Sequence, residues 1–317
     1  MKISVIVNAH YRKDYLERAL ASLSHQTIDP GLFEVIVVKN FEDEKIDSFS
    51  KTHGFTTILV EENTQVGFDL AEGIKNSTGD IITFLDDDDL YEPERLERML
   101  RLFDNPEVFY VKNEVYFIDR AGKTLPGMRR LGIKRNRLIG PEKLASRSAF
   151  LDRVKAGFNL SSIALRRKAM TPPYLKFLSE NLVHSTDTFF FCVALSSGHS
   201  LYLDKEKLTG YRISNSASRQ LGNDKEAFQK AITFYDNLIK TYSEFSLMFG
   251  PVAKNYLKVR ICSQAIAREI KTLTGKMTTH KDFSIRPCLR LALKNRDLLL
   301  LYDILRYWKM KILAKAQ

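Results

Sequence analysis

An apolar run leads directly into four consecutive acids in the stretch Ser77-Thr78-Gly79-Asp80-Ile81-Ile82-Thr83-Phe84-Leu85-Asp86-Asp87-Asp88-Asp89. The apolar part, Ile81 to Leu85, has the β-branched and aromatic content of a buried strand. Adjacent carboxylates repel one another unless a cation lies among them, and Mg²⁺ or Mn²⁺ prefers such oxygen ligands together with phosphates and water. An acidic helix cap would explain one Asp but not four. The stretch therefore predicts a strand that ends at a divalent-metal site.

Strand and helix patterns alternate through the first hundred residues. The predicted strands are near-continuous apolar runs, which are typical of a parallel sheet covered on both faces. The segments between them are polar on one side and apolar on the other, so the alternation predicts an α/β sheet with helical crossovers. The predicted strands are Ile3 to Val7, Val35 to Val38, Thr57 to Val60 and Ile81 to Leu85, and the predicted helices are Tyr15 to Leu23, Glu44 to Lys51 and Phe68 to Asn76.

Polar loops follow three of these strands. Ligands of α/β sheets bind at the carboxyl ends of strands, so we expect Asn8 to Tyr11, Lys39 to Asp43 and Asp86 to Asp89 around one mouth. Neither a GxGxxG nor a GxxxxGK(S/T) sequence occurs, so neither dinucleotide binding nor a P-loop is indicated. A metal would then have to meet an anionic phosphate.

The pattern changes after residue 100. Val108 to Asp119 alternates as a strand with one exposed face does, and the basic, turn-rich segment Gly122 to Gly140 is expected to be a mobile loop over the site. After Asn223 only long helical patterns remain, which places a boundary near residue 220.

Charge is unevenly distributed along the 317 residues. Residues 225–317 hold 18 Lys plus Arg and 7 Asp plus Glu, so they carry the whole net charge of +11 and residues 1–224 are neutral. Such a basic region attracts the phosphates of nucleic acid or of anionic lipid headgroups.

The cysteines and the N-terminus bear on the compartment. Cys192, Cys262 and Cys288 have no metal-ligand spacing, which favours free thiols in a reducing compartment. No apolar run approaches the roughly 18 residues of a spanning helix, and the N-terminal apolar stretch is shorter than a signal-peptide core. The sequence therefore predicts a cytoplasmic protein.

Four stretches, in the right order from Ile3 to about Ser218, resemble the family 2 glycosyltransferases with a GT-A fold. They correspond to the family's first strand and helix, its Asp-x-Asp-Asp signature, the segment carrying its catalytic base and the segment closing its catalytic domain. The resemblance implies an α/β fold of GT-A type with a C-terminal α-helical extension. The stretches are Ser4-Val5-Ile6-Val7 with Arg12 and Leu16 to Leu23, Ser77 to Asp89 with Pro93 and Leu96, Thr186-Asp187-Thr188-Phe189, and Tyr211-Arg212-Ile213-Ser214-Asn215-Ser216-Ala217-Ser218.

The resemblance also implies roles for matched positions. Asp86, with Asp87 beside it, would lie against the nucleotide sugar, and Asp88 would coordinate a divalent metal, Mg²⁺ or Mn²⁺, on the donor diphosphate. Asp187 would be the general base that deprotonates the acceptor hydroxyl; a helix N-cap is its other interpretation. Attack opposite the departing diphosphate would invert the anomeric centre.

Two further matched positions line the implied site. Asp89 would organise the site floor, and Arg212 would face either the pyrophosphate or the site wall, with Tyr211 beside it.

Several positions depart from the family pattern. Lys39 stands where an Asp-Asp-Gly-Ser loop usually starts, and Asn8-Ala9-His10-Tyr11 replaces Pro-Thr-Tyr-Asn. Contact with the donor, and with its base in particular, would then fall to Asn8, His10, Asn40 or Asp43, while a packed or exposed side chain is the other interpretation of His10.

The last predicted helix is basic and amphipathic. Its apolar positions recur at helical spacing beside Arg306, Lys309 and Lys315, which suits an anionic membrane surface. Docking onto the other C-terminal helices, or onto a second subunit in a homo-oligomer, explains the pattern as well. The apolar positions are Leu298, Leu301, Leu305, Trp308 and Ile312.

These inferences predict a metal-dependent inverting glycosyltransferase, cytoplasmic or peripheral on the inner membrane face, with a nucleotide-sugar donor and a glycan or lipid-linked acceptor. Residues 1–118 would form the nucleotide-sugar-binding half of the catalytic domain, residues 119–222 its acceptor-binding half, and residues 223–317 a basic helical region. The alternatives are a nucleotidyltransferase-like metal enzyme and a non-catalytic basic protein that binds through residues 225–317. Residues 225–317 lack a recognisable nucleic-acid-binding motif, so nucleic acid is a less favoured partner than an anionic membrane surface.

Overall fold

A computed structural model of the chain describes residues 1–10, 13–126, 132–213, 225–275, 277 and 283–315. The chain divides into two compact units. The first comprises Met1–Pro141 and Val154–Ser214, and the second comprises Glu142–Arg153 and Asn215–Gln317. The segment Glu142–Arg153 therefore groups with the C-terminal helices, although the sequence analysis placed it in the region 119–222.

The secondary structure alternates between strands and helices up to residue 212 and is helical thereafter. Up to residue 139 the elements are β1 (Ile3–Ala9), α1 (Lys13–Ser24), β2 (Phe33–Lys39), α2 (Glu44–Thr52), β3 (Thr56–Leu59), α3 (Val66–Lys75), β4 (Ile81–Asp86), β5 (Leu90–Tyr91), α4 (Arg95–Phe103), β6 (Val108–Ile118), β7 (Thr124–Leu125) and β8 (Arg137–Ile139). The remaining elements are α5 (Pro141–Leu144), α6 (Ser148–Arg153), β9 (Ile163–Arg166), α7 (Pro172–Asn181), α8 (Thr186–Leu195), β10 (Ser200–Arg212), α9 (Lys225–Ser246), α10 (Pro251–Thr274), α11 (Arg286–Asn295) and α12 (Leu298–Lys315).

The first unit is built on one mixed sheet with the strand order β3-β2-β1-β4-β9-β6-β10-β5. Strands β3, β2, β1 and β4 run parallel to one another. The middle strand β9 is antiparallel to both β4 and β6. The predicted α/β fold with helical crossovers is confirmed, since each predicted strand and helix of the first hundred residues is present.

The register of the parallel strands brings their carboxyl ends together. Asn8 near the end of β1 pairs with Asp86 at the end of β4, and Ala9 pairs with Lys39 at the end of β2. The apolar residues of β1 and β4 are fully buried, so a slip of one residue would turn buried side chains outward. Burial therefore fixes which polar residues meet at the mouth.

Strand β6 differs from its prediction. Its polar residues Lys112, Asn113 and Glu114 are buried, whereas the sequence pattern predicted one exposed face. Lys112 Nζ donates to Ser162 Oγ at 2.6 Å, and Asn113 Nδ2 donates to Thr209 Oγ1 at 3.0 Å. Because β6 lies between β9 and β10, its alternation reflects an internal hydrogen-bond network and not solvent.

The segment 122–140 is also more regular than predicted. It contains β7, which pairs with β6, and β8, which pairs antiparallel with β10. Residues 127–131, with the predicted loop residues Arg129 and Arg130, lie outside the described part of the chain.

The second unit has its own apolar core. Helices α10, α11 and α12 bury Ile266, Cys288, Leu300, Ile304 and Tyr307 in one cluster. Within the described residues, no helix combines the length and the apolar character that crossing a membrane requires.

Candidate active site

The four acids of the sequence lie where β4 ends. Asp86 is half-buried and the next three are buried, with Asp89 fully inaccessible. The run turns back on itself because Asp89 N–H donates to Asp86 O at 3.1 Å, and Asp86 N–H donates to Ser161 Oγ at 3.0 Å. The turn places the four acids at the carboxyl end of β4.

Asp89 titrates unusually. Burial, together with the neighbouring charge of Asp88, raises its pKa to about 7, although hydrogen bonds from Arg212, Ser161 and Asn159 act in the opposite direction. Burial is the larger cause of this raised pKa, and the charge of Asp88 adds to it.

Arg212 closes the back of the carboxylate turn from the end of β10. Its backbone N–H donates to Asp89 Oδ1 at 2.9 Å, and its Nε donates to Asp88 O at 2.7 Å. Nη1 donates to the carbonyls of Asp119 and Arg120, and the guanidinium lies 4.5 Å from the centre of the Tyr15 ring. Arg212 therefore packs behind the carboxylate turn, and its predicted place against the pyrophosphate or the site wall stays a prediction. Its Nη2 has no hydrogen-bond partner among the described residues.

Asp187 lies in the first turn of α8 and reaches the same cluster through Asn159. Its Oδ2 accepts from Asn159 N–H at 3.0 Å, and Oδ1 accepts from Thr188 N–H at 2.6 Å. Asn159 Nδ2 donates in turn to Asp89 Oδ2 at 2.7 Å. Ser185 holds the N-cap position of α8 without a side-chain cap bond, and Asp187 lies in the first turn, so both the base and the helix-terminus interpretations of Asp187 stay open.

His10 and Asn40 meet at the ends of β1 and β2. Asn40 Nδ2 donates to His10 Nδ1 at 3.0 Å, and His10 Nε2 pairs with the carboxylate of the buried Asp69 on α3. Because His10 Nδ1 accepts a hydrogen bond from the Asn40 amide, Nε2 carries the hydrogen and donates it in the hydrogen bond to Asp69. His10 N–H also donates to Asp87 Oδ2 at 3.2 Å, which joins the Asn40–His10–Asp69 hydrogen bonds to the carboxylate turn.

Several buried oxygen atoms near these hydrogen bonds lack a donor among the described residues. Asn8 Oδ1, Asn40 Oδ1 and Asp69 Oδ1 are buried and have no hydrogen-bond partner among the described residues. Buried polar atoms are seldom left unpaired, so acceptors of this kind mark a place where ligand or water donates.

Asp43, the remaining predicted donor contact of the second loop, and its neighbour Lys39 have other bonding partners. Asp43 is the N-cap of α2, where its carboxylate accepts from Ile46 N–H at 3.2 Å and lies 3.5 Å from Lys13 Nζ. The hydrogen bond from Ile46 lowers the pKa of Asp43. Lys39 is buried and bonds to Phe41 O and Asp47, so its charge is held within its own loop and helix.

The described residues suit a hard divalent ion without enclosing one. They contain no group of three or more Asp, Glu, His or Cys side chains able to hold a metal. Mg²⁺ or Mn²⁺ can be bound by one or two carboxylates plus substrate phosphates, and the carboxylate oxygens of Asp88 and its neighbours would suffice for that mode.

Sequence reasoning missed Asp69 and Asn159. An acid flanked by the apolar residues Phe68 and Leu70 was the available signal for Asp69, whereas nothing in the sequence separates Asn159 from other loop asparagines. Tyr11, Arg12 and the predicted Ser214 to Ser218 stretch lie outside the described residues.

Comparison with known proteins defines the class. The family described as glycosyl transferase family 2 matches residues 4–171, more than half of the chain. The chain therefore belongs to glycosyl transferase family 2.

Individual relatives are distant. A putative glycosyltransferase of Bacillus subtilis, EpsH, is 26% identical over 239 residues, which cover 74% of this chain and 67% of that protein. An uncharacterized glycosyltransferase of Haemophilus influenzae is 31% identical over 112 residues, and the match spans only 34% of this chain and 37% of that protein.

Solved structures confirm the GT-A type of fold. TarS 1-349 of S. aureus aligns with a TM-score of 0.56 at 14% identity, covering 100% of this chain and 92% of that one. The mannosyltransferase PcManGT of Pyrobaculum calidifontis, solved with GDP-Man and Mn²⁺, aligns with a TM-score of 0.52 at 15% identity over 98% of this chain and 86% of that one.

Proposed function

We propose that this chain transfers a sugar, with inversion, from a nucleotide-sugar donor held by a divalent metal at Asp88 to a hydroxyl of an acceptor. The observation that carries the proposal is the link between the carboxylate turn and Asp187. Asp89 and Asp187 are bound by the two hydrogen-bond donors of a single residue, Asn159, so a donor-side acid and a candidate base belong to one cluster.

The protein's own residues would divide the work. Asp86 and Asp87 would lie along the donor, while the acceptors of Asn8, Asn40 and Asp69 are available to its polar groups. Asp187, half-buried in the first turn of α8, would take the proton of the acceptor hydroxyl as that oxygen attacks the anomeric carbon. When bound, the metal would stabilise negative charge on the departing diphosphate.

The donor belongs to the nucleoside diphosphate sugars in this proposal. The similar solved structures include TarS with UDP-GlcNAc and PcManGT with GDP-Man and Mn²⁺. These two compounds are therefore the first donors to test. The paired His10 and Asn40 differ from the family pattern, so the preferred base need not be that of either neighbour.

Thermal stabilisation by donor tests the proposal. UDP-GlcNAc or GDP-mannose is expected to raise the Tm of the wild-type protein only when MnCl₂ is present, because phosphate and carboxylate repel without the cation. Asp88→Ala is expected to lose this stabilisation while its ligand-free Tm stays unchanged or rises, because a charge beside Asp89 is removed.

Asp104→Ala is the matched control, since Asp104 is an exposed acid at the end of α4. It should respond to donor and metal as the wild type does. The metal role is wrong if Asp88→Ala is stabilised by donor and Mn²⁺ as strongly as the control.

We also propose that the enzyme acts on a glycan or lipid-linked acceptor at the inner membrane face. Helix α12 buries Leu300, Ile304 and Tyr307 but exposes an apolar stripe on its opposite side. Exposed Arg286, Arg290 and Lys294 on α11 and Arg306 and Lys309 on α12 accompany the apolar residues, as expected for an anionic lipid surface. The stripe consists of Leu298, Tyr302, Leu305 and Ile312, with Trp308 and Leu313 at its margins.

A self-association surface is less well supported by the charge. Two copies meeting through this stripe would bring together two regions that each carry a net charge of +11. Leu301, one of the predicted stripe residues, is only partly exposed and packs toward the helical core instead.

A further inference from the structure

We infer that Asn159 is a positioning residue that holds Asp187 in register with the carboxylate turn. The inference rests on the proposed role of Asp187 as the base, and it deepens that role by naming what aims the base. Asn159 itself lies outside the four stretches that carry the family resemblance.

Asn159 has an unusual backbone conformation, and in that conformation it makes both contacts. Its φ of 64° and ψ of 105° fall in a region that side-chain-bearing residues seldom occupy. Such conformations cluster at functional sites, where the surrounding structure holds the residue in place. The strain puts the backbone N–H on Asp187 and the side-chain amide on Asp89 at the same time.

The orientation of the amide follows from its neighbour. Asp89 Oδ2 accepts a hydrogen bond from Asn159 Nδ2. The oxygen of the same amide, Asn159 Oδ1, is then buried without a hydrogen-bond partner among the described residues. A residue that only filled space or closed a turn would not need a buried amide with one end unpaired, because the unpaired acceptor is costly. The bond to Asp89 is therefore the contact that the amide provides.

The geometry makes the amide an anchor for the backbone donor. Residue 159 precedes a short 3-10 turn, Leu160–Ser162, and its carbonyl accepts from Ser162 N–H at 3.1 Å and from Ser162 Oγ at 2.7 Å. These bonds hold the carbonyl of Asn159, whereas its side-chain amide is the contact that ties the residue to Asp89 in the carboxylate turn. If the amide were removed, the N–H that donates to Asp187 would lose that link. Asp187 would then sample more orientations, which lowers kcat more than donor binding.

Asn159→Gly separates the amide from the backbone conformation. Glycine adopts positive φ without strain and keeps the backbone N–H, so only the side-chain link to Asp89 is lost. Lys155→Gly is the matched control, because Lys155 also has a positive φ, 58°, and lies four residues earlier in the same segment.

The first measurement needs no donor. Hydrogen exchange of a peptide that covers residues 157–162 is expected to rise about tenfold in Asn159→Gly and to stay near the wild-type rate in Lys155→Gly. Equal exchange in Asn159→Gly and wild type would show that the amide anchors nothing, and the inference would be wrong.

The second measurement uses release of UDP or GDP from UDP-GlcNAc or GDP-mannose with MnCl₂. Asn159→Gly should lower kcat about tenfold with the donor KM within about twofold, and Lys155→Gly should do neither. The double variant with Asp187→Asn should be little worse than Asp187→Asn alone, because the two residues act in one unit. Losses that multiply, or a wild-type kcat in Asn159→Gly, overturn the inference.

The two proposals fail differently. If Asp187→Asn turns over normally, the proposed base is wrong. If Asp187→Asn is impaired and Asn159→Gly is not, the base stands and the positioning role of Asn159 is wrong.

Discussion

The α/β unit and the C-terminal helices differ in net charge and in how their buried charges and exposed leucines are grouped. Residues 1–224 carry no net charge, yet they bury Arg95, Lys112, Asp87 and Asp89 almost completely. Residues 225–317 carry the whole net charge of +11 and expose leucines such as Leu298 and Leu305, at 73% and 67% of their surface.

Buried charges and exposed leucines, each taken alone, disfavour folding. A buried charge loses hydration unless hydrogen bonds replace it, and an exposed leucine keeps apolar surface in water. The buried charges of the α/β unit are linked into networks that end at the carboxylate turn, which suggests chemistry inside the unit. The exposed leucines of α12 are a single stripe, which suggests a partner outside it.

The largest effect that would test this contrast is the loss of turnover in Asp187→Asn. Asn keeps the size of the side chain but cannot accept the proton of the acceptor hydroxyl, so kcat should fall by roughly 10²-fold or more. The donor dissociation constant should barely change. Both quantities are measured with whichever nucleotide sugar stabilises the protein in the presence of Mn²⁺.

Asp152→Asn is the counterpart in the helical unit. Asp152 is also buried, and its Oδ1 lies 3.1 Å from Arg260 Nη1. Losing one partner of a buried ion pair should lower the Tm while kcat of the folded enzyme stays near the wild-type value. Near-normal turnover in Asp187→Asn would show that the Asp187 carboxylate, like that of Asp152, serves only the fold.

The regular part of the α/β unit could be predicted because periodicity is a local signal. Buried parallel strands are continuous apolar runs, and β1, β2, β3 and β4 each lie within a few residues of their predicted bounds. The site was predictable to the extent that strand ends meet at one edge of a sheet, which placed Asn8, His10, Asn40 and the carboxylate run together.

What the sequence could not reveal depends on contacts between distant segments. Lys112 and Asn113 follow an exposed-strand pattern, but partners 50 and 96 residues away keep them buried. Asn159 owes its importance to a backbone conformation and to two acids, 28 and 70 residues away, which no local pattern encodes. Leu301 illustrates the same limit on α12, where the packing of α10 and α11 decides which apolar residues are covered.

A smaller effect is expected when the exposed stripe is charged. Leu305→Glu should weaken binding to vesicles of anionic phosphatidylglycerol about tenfold, because it removes an apolar contact and adds a repelling charge. Leu59→Glu, the same change at an exposed leucine of β3 in the α/β unit, should not. Vesicle sedimentation of the full chain at low and high salt measures both.

The result also separates lipid from protein as the partner of the stripe. If the wild-type chain ignores vesicles but forms dimers that Leu305→Glu abolishes, then a second copy covers the stripe and the membrane location is wrong. Salt should weaken lipid binding and strengthen a contact between like-charged copies.

The smallest effect concerns a carboxylate that serves the fold instead of the chemistry. Glu34 on β2 accepts from Lys2 Nζ and Ser4 Oγ, both at 2.7 Å, and from Thr78 and Gly79 N–H ahead of β4. A side chain at Gly79 would place its Cβ 2.6 Å from Ser4 Oγ, so the turn approaches β1 as closely as glycine allows. Glu34 thus ties β1, β2 and the start of β4 together.

Glu34→Gln is expected to lower the free energy of unfolding by about 1 kcal/mol at pH 7, measured by urea denaturation. Burial raises the pKa of Glu34, but the bonds from Lys2, Thr78 and Ser4 outweigh it and lower the pKa from 4.5 to about 2. A lowered folded-state pKa stabilises fully above about pH 4.5, and this stabilisation is lost as the pH falls toward 2. The difference between wild type and Glu34→Gln should therefore shrink between pH 6 and pH 3. Glu226→Gln, which breaks only an exposed pair with Lys230 on α9, should have no measurable effect at either pH; a pH-independent difference for Glu34→Gln would mean that its charge does not stabilise the sheet.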